Sequence, residues 1–248
     1  MIGLIGGTGL LNFQGIEIIQ RENFNTPYGK ASDSFCLAKV ENQTFIFIPR
    51  HGANHSIPPH LINYRANMWG LKKLGVTDVL AIATVGGISK NSQPNTIVIP
   101  DQILDYTYGR EHTIFDGQSH PVEHIDFTLP YDLILRDKVI TYAKKVDFKC
   151  HPQGTYAAVQ GPRLETAAEI NRYEKDGATI VGMTGMPEAS LAKELGLAYT
   201  AICPVVNFAA GRGDSQQGLS HEIITKNSEK LMTQLLSFVL GFIKDYGD

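Results

Sequence analysis

The chain has 248 residues and a formal net charge of −3, with 22 Lys plus Arg against 25 Asp plus Glu. Hydrophobic residues make up 43% and charged residues 19%, a globular balance that excludes a disordered chain and suffices for a sizeable core. With a pI near 6.2 and apolar runs well short of the roughly 18 residues of a spanning helix, no nucleic acid or membrane partner is expected. A small-molecule substrate is.

Short apolar runs alternate with longer amphipathic ones, the pattern of a single α/β domain with a largely parallel or mixed sheet. Strands are expected at 2–5, 45–48, 79–84, 96–99, 156–160, 179–184 and 199–207. Helices are expected at 60–74, 133–145, 165–175, 187–195 and 220–245, the last with Ile223, Leu231, Leu235 and Phe238 at mostly helical intervals. Residues 109–130, polar and rich in His, and residues 209–218 read as functional loops beyond strand ends, where open α/β sheets place ligands. Cys36, Cys150 and Cys203 lie far apart without a CxxC pair, which speaks for a reducing compartment and against a disulfide framework or zinc ribbon. Residues 1–6 lack the basic region and long apolar stretch of a secretory signal, so a cytoplasmic chain is expected.

Six segments carry the chemistry. Gly6-Gly7-Thr8-Gly9 follows the first strand, and its glycines let backbone N–H groups approach an anion beside the Thr8 hydroxyl. An ordinary tight turn would look the same, and the segment is neither GxGxxG nor Walker A. Pro49-Arg50-His51-Gly52 ends a strand with a planar guanidinium fork suited to phosphate and a histidine able to donate a further hydrogen bond. Ala83-Thr84-Val85-Gly86-Gly87 runs a third strand into glycine. Paired glycines can serve packing alone, but three strand-to-glycine turns bearing Thr or Arg-His suit one composite oxyanion site.

In Gln160-Gly161-Pro162-Arg163-Leu164-Glu165-Thr166, Glu165 or Thr166 opens an alanine-rich helix, where an acid commonly just complements the helix dipole. In Gly182-Met183-Thr184-Gly185-Met186-Pro187-Glu188-Ala189 the methionines suit core packing, Pro187 suits the first helical position and Glu188 the first turn. Thr184 is left at a strand–helix junction, free to donate its hydroxyl. Val205-Val206-Asn207 brings a neutral amide to the end of a buried strand, where it must find partners in the loop or on a ligand.

In order and interval these segments resemble the trimeric purine nucleoside phosphorylase and methylthioadenosine phosphorylase family, over nearly the whole chain. The most specific pieces are Arg50-His51-Gly52, Asn63-Tyr64-Arg65-Ala66-Asn67, Gln160-Gly161-Pro162-Arg163 and Gly182-Met183-Thr184. The bacterial S-methyl-5′-thioinosine phosphorylase branch is the most similar, through Gly109-Arg110-Glu111-His112-Thr113, His124-Ile125-Asp126-Phe127 and residues 183–189.

The resemblance implies the nucleoside phosphorylase fold, α/β with a central mixed, partly barrel-like sheet flanked by helices. It implies a pentosyltransferase of purine salvage in which inorganic phosphate displaces a purine from C1′ of a ribose. Phosphate would be bound by Thr8, Arg50, His51 and Thr184, with Thr84 and Val85 beside them. Met183 would pack on the ribose, and Leu164, Asn207, Phe208 and Ala209 would meet the base, Asn207 and His51 being the catalytic pair. Glu165 would read the base and His221 the 5′ group, while His124 would enter a neighbouring subunit's sugar pocket in a homotrimer. No cofactor or metal is implied: phosphate is nucleophile and co-substrate, and the eight His are scattered without an HExxH motif.

The chain departs from methylthioadenosine phosphorylases at three positions, with Asn207 and Ala209 in place of two Asp and Glu165 in place of Ser. A 6-oxopurine is therefore expected, S-methyl-5′-thioinosine first, then inosine or guanosine, which His221 favours, then methylthioadenosine. A hydrolytic nucleosidase would have no use for four phosphate-binding positions, and a non-catalytic purine-binding subunit would not need to keep them.

Overall fold

The structure, a computed structural model, describes residues 1–7, 15–216, 218 and 221–246, the side chains of 221–230 excepted. Its strands are β1 (Ile2–Gly6), β2 (Glu17–Glu22), β3 (Phe35–Val40), β4 (Gln43–Pro49), β5 (Asp78–Ile82), β6 (Val85–Gly87), β7 (Thr96–Val98), β8 (Gln102–Asp105), β9 (Thr155–Ala158), β10 (Ile180–Gly182) and β11 (Ala198–Phe208). Its helices are α1 (Tyr64–Lys73), α2 (Leu133–Lys145), α3 (Ala167–Lys175), α4 (Gly185–Glu194) and α5 (His221–Asp245). The strands form one mixed sheet in the order β2-β3-β4-β1-β5-β11-β6-β10-β9-β8, with β7 against β11. This is the expected α/β architecture.

The centre, β4-β1-β5-β11, is parallel. Parallel strands covered by helices on both faces read as near-continuous apolar runs, which is why β1 and β11 are legible in the sequence. On one face Leu4, Phe45, Phe47, Leu80 and Ile202 pack with Leu235, Val239 and Phe242 of α5. On the other, Ile5, Ile46, Ile48 and Val79 pack with Met68 and Leu71 of α1 and with Ala189 and Leu191 of α4. Truncating one such side chain, as in Phe47→Ala, removes about 3–5 kcal/mol.

Four strands differ from expectation because the apolar signal is absent or interrupted. β2 is an exposed edge of sequence EIIQRE, β8 has only four residues, and β3 carries Lys39 among its buried positions. The expected strand at 79–84 stops at Ile82, breaks at Ala83 and Thr84, and resumes as β6. Gly86 and Gly87 therefore lie inside a strand rather than in an anion-binding turn. A Cβ on Gly87 would sit 1.6 Å from the Ser92 carbonyl oxygen, so packing alone demands glycine there.

Helix boundaries follow local capping. The expected helix at 60–74 is a one-turn 3₁₀ segment, Pro59–Leu61, followed by α1, whose Asn63 cap accepts from the Ala66 N–H at 3.1 Å. Asp132 caps α2 through the Leu135 N–H at 2.8 Å. In α3, Thr166 and Glu169 form a reciprocal capping box. Among the described residues no helix is long and apolar enough to cross a membrane.

Candidate functional site

The C-terminal ends of β1, β4 and β5 lie side by side, with Gly6 paired to Pro49 and Ile5 to Ala81. Arg50 follows β4 directly, its N–H on the Gly6 carbonyl at 2.9 Å. Its guanidinium is 2% exposed and meets Glu188, itself 1% exposed, with Nε to Oε2 at 2.7 Å and Nη2 to Oε1 at 2.8 Å. Nη1 donates to the Ile82 carbonyl at the end of β5, 2.8 Å away. A guanidinium has five N–H donors, so one on Nη1 and one on Nη2 remain beyond these partners. Burial alone would lower the Arg50 pKa, but the Glu188 carboxylate holds it above its ordinary value.

Glu188 also accepts from the Tyr199 hydroxyl at 2.9 Å, which completes a buried network joining β4, α4 and β11. From the sequence, Glu188 is expected only as an acid favourable in a first helical turn. The overlooked signal is its company: Ala189, Leu191 and Ala192 beside it are fully buried, so an acid among them needs a buried cation.

His51 departs from expectation. Its Nδ1 lies 2.8 Å from the Ile57 carbonyl, and a carbonyl oxygen only accepts, so Nδ1 carries the proton. Burial lowers the ring's pKa to about 4, which keeps it neutral. Nε2 then presents a lone pair, so His51 is set to accept a hydrogen bond from a ligand rather than to donate one.

Thr184 follows β10 and caps α4 without a side-chain capping bond, and its hydroxyl also meets the Tyr156 hydroxyl. Its N–H faces the Tyr156 hydroxyl at 3.4 Å. Gly182 makes this possible, since a Cβ there would sit 2.1 Å from that hydroxyl. Gly182 also lies against Val85, which brings Thr184 to the side of the sheet where Thr84 stands exposed. Val85 is buried in β6. Arg50, His51, Thr84, Val85 and Thr184 thus gather around the ends of β4, β5 and β10. Thr8 lies outside the described residues, as does the His221 side chain at the start of α5.

The second half of the site lies across residues 159–165 and 207–209. Asn207 donates from Nδ2 to the Phe208 carbonyl at 2.7 Å, which fixes the amide orientation and leaves Oδ1 as an open acceptor. Ser215 Oγ donates to the same carbonyl at 2.9 Å, and Arg212 ties the following loop to Glu174 of α3 at 2.7 Å. Phe208 is half-buried. Ala209 is 1% exposed and packs with Ile88, Val159 and Val181, its N–H on the Gly87 carbonyl at 2.8 Å. Its backbone thus lies against β6.

Glu165 precedes the Thr166 cap and so stands outside α3; Glu169 makes the capping box and takes Arg163 in a bidentate pair at 2.7 and 2.9 Å. The dipole-complementing role expected for an acid here belongs to Glu169. The Glu165 carboxyl takes no hydrogen bond from another described side chain, and burial raises its pKa. Leu164 beside it is 43% exposed, and the Met183 sulfur packs against Gly161. His124 is exposed on the 109–130 loop.

The family model described as the phosphorylase superfamily matches residues 1–244. A probable S-methyl-5′-thioinosine phosphorylase of Xanthomonas campestris pv. campestris is 44% identical over 224 residues, 90% of each chain. A 6-oxopurine nucleoside phosphorylase of Pyrococcus furiosus is 41% identical over 247 residues, covering 98% of this chain and 91% of that one. Among solved structures, methylthioadenosine phosphorylase of Schistosoma mansoni in complex with adenine superposes with a TM-score of 0.91 at 29% identity, covering 99% of this chain and 91% of that one.

Proposed function

The chain belongs to the phosphorylase superfamily, and on that premise we propose that the pocket between Arg50 and Asn207 is where phosphate meets a purine nucleoside. The protein is a pentosyltransferase that phosphorolyses 6-oxopurine nucleosides. The substrate we assign first is S-methyl-5′-thioinosine, giving hypoxanthine and 5-methylthioribose 1-phosphate in purine salvage. Inosine or guanosine is the alternative.

One observation carries the phosphate assignment: a buried arginine, oriented by Glu188, keeps two N–H donors at the strand ends where Thr184 and Thr84 also offer hydroxyls. Charge-assisted donors held in fixed positions suit an anion, and in a water-poor site they need no reorganisation when the reaction occurs. Hydrogen phosphate carries one proton, and His51 Nε2 can accept a hydrogen bond from that P–OH. The remaining oxygens then face the Arg50, Thr84 and Thr184 donors and the sugar.

As the N-glycosidic bond breaks, positive charge builds on the ribose and negative charge on the purine. The phosphate beside C1′ stabilises the first, and Met183 packs on the sugar. Asn207 serves the second, its Oδ1 accepting from N7–H and its remaining Nδ2–H reaching O6. Glu165 accepts from the N1–H of a 6-oxopurine. The balance is simple: the proton that phosphate brings leaves on the purine, and the P–O oxygen takes its place on C1′. Thr8 would complete the phosphate cradle and Leu164 the base wall. His124 would serve a neighbour's sugar pocket in a homotrimer in the cytoplasm.

Hypoxanthine release from inosine and methylthioinosine, measured with and without inorganic phosphate, tests this reading. Phosphate-dependent release with stoichiometric sugar 1-phosphate is expected, and release at the same rate without phosphate would make the protein a hydrolase. Light scattering tests assembly: a homotrimer is expected, and a fully active monomer would remove His124 from the site.

A further inference from the structure

We propose that Arg110 is a positioning residue that locks the base-binding and sugar-binding walls together, and so sets nucleoside binding more than phosphate binding. Arg110 lies at the start of the 109–130 loop, outside both walls. Its Nε donates to the Gln160 side-chain oxygen at 3.1 Å. Nη2 donates to the backbone carbonyls of Val159 at 3.1 Å and Gln160 at 2.8 Å. Nη1 reaches the carbonyls of Met183 at 2.9 Å and Met186 at 2.5 Å, and the Tyr64 hydroxyl at 3.2 Å.

These acceptors consume all five N–H donors of the guanidinium. Arg110 thus has nothing left for a substrate, and its action runs through the chain segments it holds. Four backbone carbonyls, from the end of β9 and from the β10–α4 junction, point at one cation. Without it their aligned dipoles would repel each other, since the β9–β10 pairing ends at Ala158 and Gly182, with one further bond from the Val159 N–H to the Gly182 carbonyl at 2.9 Å. Those segments lead directly into Leu164 and Glu165 on one side and include Met183 on the other.

The phosphate side is held by different means. Arg50 takes its position from Glu188 and Ile82, neither of which touches Arg110. Loss of the Arg110 fork should therefore loosen the nucleoside half and leave Arg50 in place, with Thr184, between Met183 and Met186, the one phosphate donor that moves with the loosened segment. A lysine, with one point charge, cannot serve acceptors spread around a planar fork.

The inference rests on the proposed function, so its test has one reading that needs no turnover. Arg110→Ala and Arg110→Lys are compared with the wild type by steady-state kinetics and by amide hydrogen exchange. In Arg110→Ala, kcat/KM for the nucleoside should fall about 100-fold, the scale expected when reacting groups are misplaced by about 1 Å. The phosphate KM should change much less than the nucleoside KM, because Arg50 keeps its place, and guanidinium ion well below unfolding concentrations should restore part of the loss. Exchange should accelerate at 159–165 and 183–186 and stay unchanged at 49–52. If Arg110→Ala fails to fold, Arg110→Lys is expected to show the same split in milder form. Equal loss for both substrates, or unchanged exchange at 159–165 and 183–186, would overturn the proposal. Wild-type protein without phosphorolysis but with the expected exchange difference would sink the functional reading and leave the positioning role standing.

Discussion

Arg50 and Glu188, 138 positions apart in the chain, form a two-pronged ion pair that is almost wholly buried. Such a pair gains little net stability against an apolar replacement, because two charges leave water. What it fixes is direction: the edge of the guanidinium held by Glu188 determines where the remaining N–H groups point. A buried ion pair at three strand ends is hard to justify by packing, and easy to justify by an anion that must be bound in one orientation.

Glu188→Gln should therefore separate direction from charge. It leaves Arg50 buried beside a neutral amide, and breaking such a pair removes about 3–5 kcal/mol of stability. The phosphate KM should rise, with the nucleoside KM affected less. Urea unfolding and phosphate titration of the variant check both. Arg50→Ala should raise the phosphate requirement further, and wild-type turnover of that variant at low phosphate would remove Arg50 from the site.

His51 yields a pH prediction with a definite sign. Its folded pKa, about 4, lies below the ordinary value of 6.5, so the unfolded chain binds the extra proton first. Its contribution to stability is complete above about pH 6.5 and is lost as pH falls through 4. Thermal unfolding between pH 4 and 7 should show a steeper decline for the wild type than for His51→Gln. Parallel curves would mean that the ring is not held neutral.

Much of this was legible in the chain itself. The apolar runs of β1, β4 and β11 and the periodicity of α5 announced an α/β domain, and residue types at strand ends marked Arg50, Thr184 and Asn207. What stayed hidden were relationships that sequence spacing cannot express. Glu188 looked like an ordinary helix-start acid because its partner is 138 positions away. His51 looked like a donor because only the Ile57 carbonyl assigns its proton. Gly86 and Gly87 looked like an anion turn because their crowding, from Val181 and Asn207 at the first and Ser92 and Val205 at the second, comes from other segments. Arg110 was legible only as part of a motif, since its six acceptors come from three separate segments.

Base recognition is testable by exchange of two residues. Asn207 and Glu165, whose carboxyl takes no hydrogen bond from another described side chain, suit a purine with O6 and N1–H, whereas adenine presents N1 as an acceptor toward Glu165. A site built on such bonds discriminates by about 10⁴-fold when the mismatch leaves buried groups unpaired. Asn207→Asp combined with Glu165→Ser should shift preference toward 6-amino nucleosides. No shift in the ratio of methylthioinosine to methylthioadenosine turnover would show that other residues read the base.

The 5′ group is assigned to His221, at the first position of α5. An imidazole there would favour a 5′-hydroxyl, and an apolar wall a thiomethyl group. His221→Val should lower inosine turnover relative to methylthioinosine. An unchanged ratio would mean that His221 does not face the sugar's 5′ end.

The most direct measurement is phosphate-dependent turnover of inosine, guanosine, adenosine, methylthioadenosine and methylthioinosine, side by side on the purified protein. The two 6-oxopurine classes should be cleaved far faster than either 6-amino nucleoside, with methylthioinosine leading and no turnover without phosphate. Equal or faster phosphorolysis of methylthioadenosine would contradict the reading of Asn207 and Glu165 on which the substrate assignment stands.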